Sequence, residues 1–123
     1  MAADDYHVIV YEILAYLYAC LKKGVEPEIE AVDGYRKLHE INMRYWSYIL
    51  VHLQMDGYVE GIAITPVMNV NWKTAHFTDG TAITPKGISY LAENSMMEKV
   101  KKFGVDGFKG VASSIATQFL GGI

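Results

Sequence analysis

Apolar side chains recur at Val10, Ile13, Leu14, Leu17 and Leu21, the i, i+3, i+4 spacing of one helical face, and predict a first helix from Tyr6 to Lys23. Asp4 or Asp5 would cap its first amides, Gly24 would close it, and Pro27 forbids its continuation. A second stripe of Val8, Tyr11, Ala15 and Tyr18 runs along the same helix, so another element must cover it. From Val25 to Val32, three glutamates and a proline without periodicity read as a connection holding at most a short turn. Asp33 and Gly34 then open a short helix with Tyr35, Leu38 and Ile41 facing inward. Asn42 stands where the next helix needs its N-cap, and Trp46, Ile49, Leu50 and Leu53 mark that helix's inward stripe. It stops at Asp56-Gly57, where glycine accepts the positive φ of a helix end.

The run Tyr58 to Ile64 is rich in β-branched residues and reads as a strand. Pro66, two asparagines, Trp72 and the turn signal Asp79-Gly80 make residues 65–80 a long loop to a second strand at Thr81–Ile83, and the two strands would pair as a hairpin. Thr84-Pro85 is an N-cap followed by proline at the first helical position, opening a helix through Ile88, Leu91 and Ala92. Ser95-Met96-Met97-Glu98 has the capping-box form and starts a last helix with Val100, Phe103, Phe108, Val111 and Ile115 on one side. Gly104, Gly107 and Gly110 each cost that helix about 1 kcal/mol relative to alanine, so it needs a surface to pack on.

Composition narrows the class. A chain of 123 residues with 51% apolar and 20% charged side chains buries one core and is not an unfolded polymer. The net charge of -3 lacks the basic excess that marks a strong electrostatic grip on nucleic acid or anionic lipid. Residues 1–94 carry seven basic and twelve acidic side chains and residues 95–123 four and two, so the body is the acidic part. Residues 33–56 hold three of each sign and are locally balanced. The acidic opening Met-Ala-Ala-Asp-Asp is unlike a signal peptide, and Glu12 and Lys22 interrupt the apolar run short of a membrane span. The single cysteine, Cys20, has helical neighbours and reads as a buried structural thiol. A cytoplasmic protein is expected.

Helix, short helix, helix, strand, loop, strand, helix is the order of a winged helix-turn-helix. The expected fold is therefore mainly α, a three-helix core plus a β-hairpin wing, with a C-terminal helical extension. Residues 1–94 would form the winged domain and residues 95–123 a dimerisation or packing element. The junction Asp56-Gly57-Tyr58-Val59 and the run Ile83-Thr84-Pro85-Lys86-Gly87-Ile88-Ser89-Tyr90-Leu91, continued as Ala92-Glu93-Asn94-Ser95-Met96-Met97, resemble the YjcQ-like family of small bacterial and phage proteins. The resemblance covers roughly residues 6–103. It implies a winged helix in a phage- or mobile-element-related setting, and it supplies no catalytic residues.

For such a fold to read double-stranded DNA, the third helix enters the major groove and the wing touches the backbone or the adjacent groove. Turning 100° per residue from the Trp46 stripe points Arg44, Tyr48, Val51 and Met55 outward, flanked by Tyr45, Ser47 and His52. Arg44, Tyr45, Ser47, Tyr48 and His52 are thus the candidate base-side contacts, with Arg36, Lys37 and Lys73 on phosphates. Solvated surface charge explains the same cations equally well. Trp72 and His76 in the wing could meet a partner, although a loop tryptophan more often packs on its own domain. The apolar strip Tyr48, Val51 and Met55 supports a competing reading, a module that binds another protein. Val100, Phe103, Phe108, Val111 and Ile115 would either fold back on the body or exchange with a second subunit. Exchange is the outcome expected here, giving a homodimer.

His7, His39, His52 and His76 have no metal-ligand spacing with Cys20 or with the acids. No phosphate-cradling glycine motif, nucleophile elbow or paired carboxylates appear. No metal, no other cofactor, no enzymatic activity and no membrane attachment are therefore expected.

Overall fold

The computed structural model describes residues 6–94, a mostly helical α/β unit. Its elements are α1 (Tyr6–Lys23), α2 (Ile29–Leu38), α3 (Met43–Met55), β1 (Val59–Glu60), β2 (Ala63–Pro66), β3 (Lys73–His76), β4 (Ala82–Ile83) and α4 (Pro85–Glu93). This order is consistent with a winged helix. The expected caps at Asp4 or Asp5 and at Ser95, and the apolar series Val100, Phe103, Phe108, Val111 and Ile115, lie outside the described residues.

The core forms where the helical stripes meet. Trp46, Ile49, Leu50 and Leu53 are all buried, against Ile9, Ile13, Leu14 and Leu17 of α1 and Tyr35 of α2. The second stripe of α1 is covered at Val8 and Tyr11, because α1 also packs on β4 and α4. Leu21 corrects the expected face, since it lies near the end of α1 and is half exposed.

The second helix begins earlier than its sequence implies. Glu28 adopts an extended N-cap conformation without a side-chain cap, and the helix takes in residues 29–32 of the expected connection because Ala31, Val32 and Tyr35 form its buried stripe. Asp33 and Gly34 therefore sit inside α2 and do not open it. Leu38, expected inward, is 52% exposed, and Ile41 beyond the helix fills the core position instead. Asn42 caps α3 as expected, its Oδ1 accepting from the Tyr45 amide at 2.8 Å.

The strand region departs furthest from expectation. Val59 and Glu60 do pair with Ile83 and Ala82, antiparallel, as the expected hairpin requires. The chain then breaks at Gly61 (φ +81), and the supposed long loop supplies its own strand, with Ala63–Pro66 pairing with Lys73–His76. Between the two ladders, Phe77–Thr81 bulge opposite Gly61–Ile62. The bulge is tied down by threonines, since Thr78 Oγ1 and Thr81 Oγ1 donate to the Gly61 carbonyl at 2.7 and 2.8 Å. Gly61 is required twice over. Its φ is left-handed, and a Cβ there would stand 2.3 Å from the Gly80 carbonyl oxygen. The Asp79-Gly80 signal thus marks this bulge, while the hairpin turns over residues 67–72.

Candidate functional site

Two hydrogen-bonded braces position the outer side of α3. The Gln54 side chain accepts from the Ile62 amide at 2.7 Å, fixing the strand beyond it. Ser47 Oγ accepts from the Ala75 amide at 3.1 Å, fixing the hairpin against the helix. Ser47 is 0% exposed, so it is corrected from a base-side contact to a brace between α3 and β3. A small polar residue can satisfy a strand amide inside a close-packed crossing where a longer one would not fit.

Outward from these braces the helix presents Arg44, Tyr48 and Met55, as the 100° rule predicts, while Tyr45, Val51 and His52 are half-buried and Tyr45 and Val51 pack against the core. Arg44 is exposed and has no ion pair among the described residues. The Tyr48 and His52 rings lie 4.2 Å apart between centroids, a tilted stack that leaves Tyr48 55% exposed. Met55 is 70% exposed, Val51 partly buried.

The expected phosphate contacts separate into two kinds. Arg36 is largely committed to the fold: its Nη1 donates to the Ile41 carbonyl at 3.1 Å, and its Nε lies 3.5 Å from Asp33. It closes the turn between α2 and α3 and is corrected from a free backbone contact. Lys37 is shared with the same Asp33, at 3.7 Å, yet remains exposed enough to reach a ligand. Lys73 is exposed at the start of β3, opposite Pro66. His76 is exposed at the other end of that strand, and Trp72 is partly buried. From Gly61 to Trp72 the hairpin carries no charged side chain, and Met68 and Val70 at its turn stand in solvent.

Sequence inspection missed a buried polar pair behind this surface. Glu12, 3% exposed in the middle of α1, accepts a hydrogen bond at Oε1 from the Tyr35 hydroxyl, while its Oε2 is buried without a hydrogen-bond partner among the described residues. Burial pushes the Glu12 carboxyl up to about 7 despite the tyrosine's opposing pull, and burial with the neighbouring carboxylate raises the Tyr35 hydroxyl too. The available signal was Glu12 itself, a lone acid between two apolar stripes of one helix. Cys20 is buried as expected, its thiol pushed up to about 11 by burial, which leaves it inert as a nucleophile at neutral pH. Among the described residues no three His, Cys, Asp or Glu side chains are grouped to hold a metal ion, and no helix is long and apolar enough to cross a membrane.

Among the described residues, four helices with two short antiparallel ladders define a small, mostly helical α/β protein. Residues 11–105 match the family model described as YjcQ protein, and the chain belongs to that family. No match was found among curated proteins or among solved structures.

Proposed function

We propose that this protein is a winged-helix DNA-binding protein of phage or prophage type, a small cytoplasmic regulator of transcription that acts as a homodimer. In this reading α2 and α3 form the helix-turn-helix, α3 lies in the major groove, and the β2–β3 hairpin is the wing. Arg44, Tyr45, Tyr48 and His52 face base edges, while Lys37 and Lys73 meet phosphates. The observation that carries the reading is the outward row Arg44, Tyr48 and His52 on a capped helix whose opposite side anchors both the core and the hairpin. In this reading the surface acts by binding alone and needs no cofactor.

Two exposed cations, Lys37 and Lys73, neutralise about two phosphates per subunit, so log affinity should fall with log salt at a slope near −1.8. Between 50 and 200 mM salt that is a loss of about 12-fold per subunit. Fluorescence anisotropy with duplex DNA at low salt tests it. Binding that weakens along this slope and drops in Arg44→Ala supports the reading, and no binding to any duplex at low salt refutes it.

A second reading has its own observation. The Tyr48, Val51 and Met55 strip and the uncharged hairpin Gly61–Trp72 offer apolar area to a protein partner. Under this reading Val51→Asp abolishes partner capture and Arg44→Ala does not; capture unchanged by Val51→Asp rejects it.

A further inference from the structure

The phosphate contacts leave the tip of the β2–β3 hairpin unused. Two braces order this hairpin along α3: Gln54 holds Ile62 at the base, and Ser47 holds Ala75 nearer the turn. Passing from Gln54 to Ser47 runs toward the N-terminal half of α3, so the tip leans to the end of the helix that carries exposed Arg44. Five residues separate Ala75 from the middle of the turn over residues 67–72, a reach of about 16 Å at strand spacing. Neighbouring major and minor grooves of a duplex lie half a helical turn apart, about 17 Å. With α3 in the major groove, the hairpin is thus long enough to carry its tip to the minor groove alongside.

The chemistry of the tip suits base pairs better than phosphates. Met68 is 85% exposed, the largest value among the exposed large apolar side chains of the described residues, and Val70 is 42% exposed. Asn69 turns the chain there at φ +66, a left-handed conformation that asparagine tolerates, and Asn71 is exposed beside it. No side chain from Gly61 to Trp72 is charged, and Lys73 stands just past the turn. Two apolar side chains on a narrow turn offer far less area than a stable protein interface needs. They are enough for a wedge: methionine is among the side chains that enter minor-groove base steps, unstack them and bend the duplex toward the major groove. Asparagine amides donate to the acceptors that A·T pairs present there.

We infer that Met68 is a wedge that enters a base step of the minor groove, so that the preferred duplex is one rich in the easily unstacked T-A steps and is bent when bound. This rests on the DNA reading of α3 and names what its wing recognises.

Two duplexes of equal length test it with the full chain, one of alternating T and A, the other of G·C pairs alone. Anisotropy reads affinity, and energy transfer between labelled ends reads bending. Wild type should bind the T-A duplex about tenfold more tightly, the size of one base-pair preference, and raise its energy transfer. Met68→Ala, at a side chain standing in solvent, should lose both the preference and the rise, at low and high salt alike because the tip adds no charge. Met68→Leu keeps an apolar wedge and should retain them. Lys73→Ala should instead flatten the salt slope by about 0.9 and leave the bend. Equal affinity for the two duplexes, no bend in wild type, or a bend that survives Met68→Ala overturns the wedge while the DNA reading stands. No binding to either duplex at low salt overturns both.

Discussion

Glu12 should make the stability of this protein fall as pH rises toward neutrality. Its carboxyl titrates near 7 in the folded chain, against an ordinary value of 4.5, because burial penalises the charged form more than the Tyr35 hydroxyl rewards it. The folded state therefore holds a proton that the unfolded state has released, and stability declines between about pH 4.5 and 7. A difference of 2.5 pH units corresponds to about 3 kcal/mol, a large share of the 5–15 kcal/mol typical of a whole domain. Above pH 7 the penalty is complete and this contribution is flat. Glu12→Gln keeps the shape and removes the titration, so its stability advantage over wild type should grow by about 2.5 kcal/mol between pH 5 and pH 8. Urea unfolding followed by the fluorescence of Trp46 and Trp72, from pH 5 to 8.5, reads both curves. Parallel pH profiles for wild type and Glu12→Gln would refute the reasoning, since the carboxyl would then have the same proton affinity folded and unfolded.

Three further outcomes are expected. Ser47→Ala removes the acceptor for the buried Ala75 amide and should cost about 1–3 kcal/mol in urea unfolding, while hydrogen exchange at Ala75 speeds up; unchanged protection there would show that the brace does not hold the hairpin. Gly61→Ala places a Cβ against the Gly80 carbonyl at a left-handed φ, and a loss below about 1 kcal/mol would contradict the close approach of the two backbones. Cys20 should resist iodoacetamide at pH 8 in the folded chain and react at once in urea; rapid labelling without denaturant would show that the α1 core opens there.

The helices were legible wherever local chemistry and burial agree. Asn42 caps α3, Thr84 accepts from the Gly87 amide to open α4, and the Trp46 stripe faces the core, each recorded in a few adjacent residues. The start of α2 was not legible because Glu28 makes no side-chain cap, so neighbouring packing alone sets it. The hairpin was hidden because its partners lie seven to thirteen residues apart across a segment whose proline and asparagines read locally as loop. Of the surface residues, helical rotation placed Arg44, Tyr48 and Met55 correctly. It gave no account of Ser47 or Arg36, because a side chain at the edge of a stripe is buried or free according to what long-range contact crosses it.

Splitting the strand at Gly61 separates two jobs that one long ribbon would share. The β1–β4 ladder stays seated between the helices like a socket, while the arm beyond the threonine-laced bulge can be lengthened, shortened or re-tipped without disturbing what it plugs into. Each residue added to both sides of the turn extends the reach by about 3.3 Å and leaves the Val59–Ile83 register untouched. The length and tip of the arm are therefore free to vary independently of the ladder that seats it.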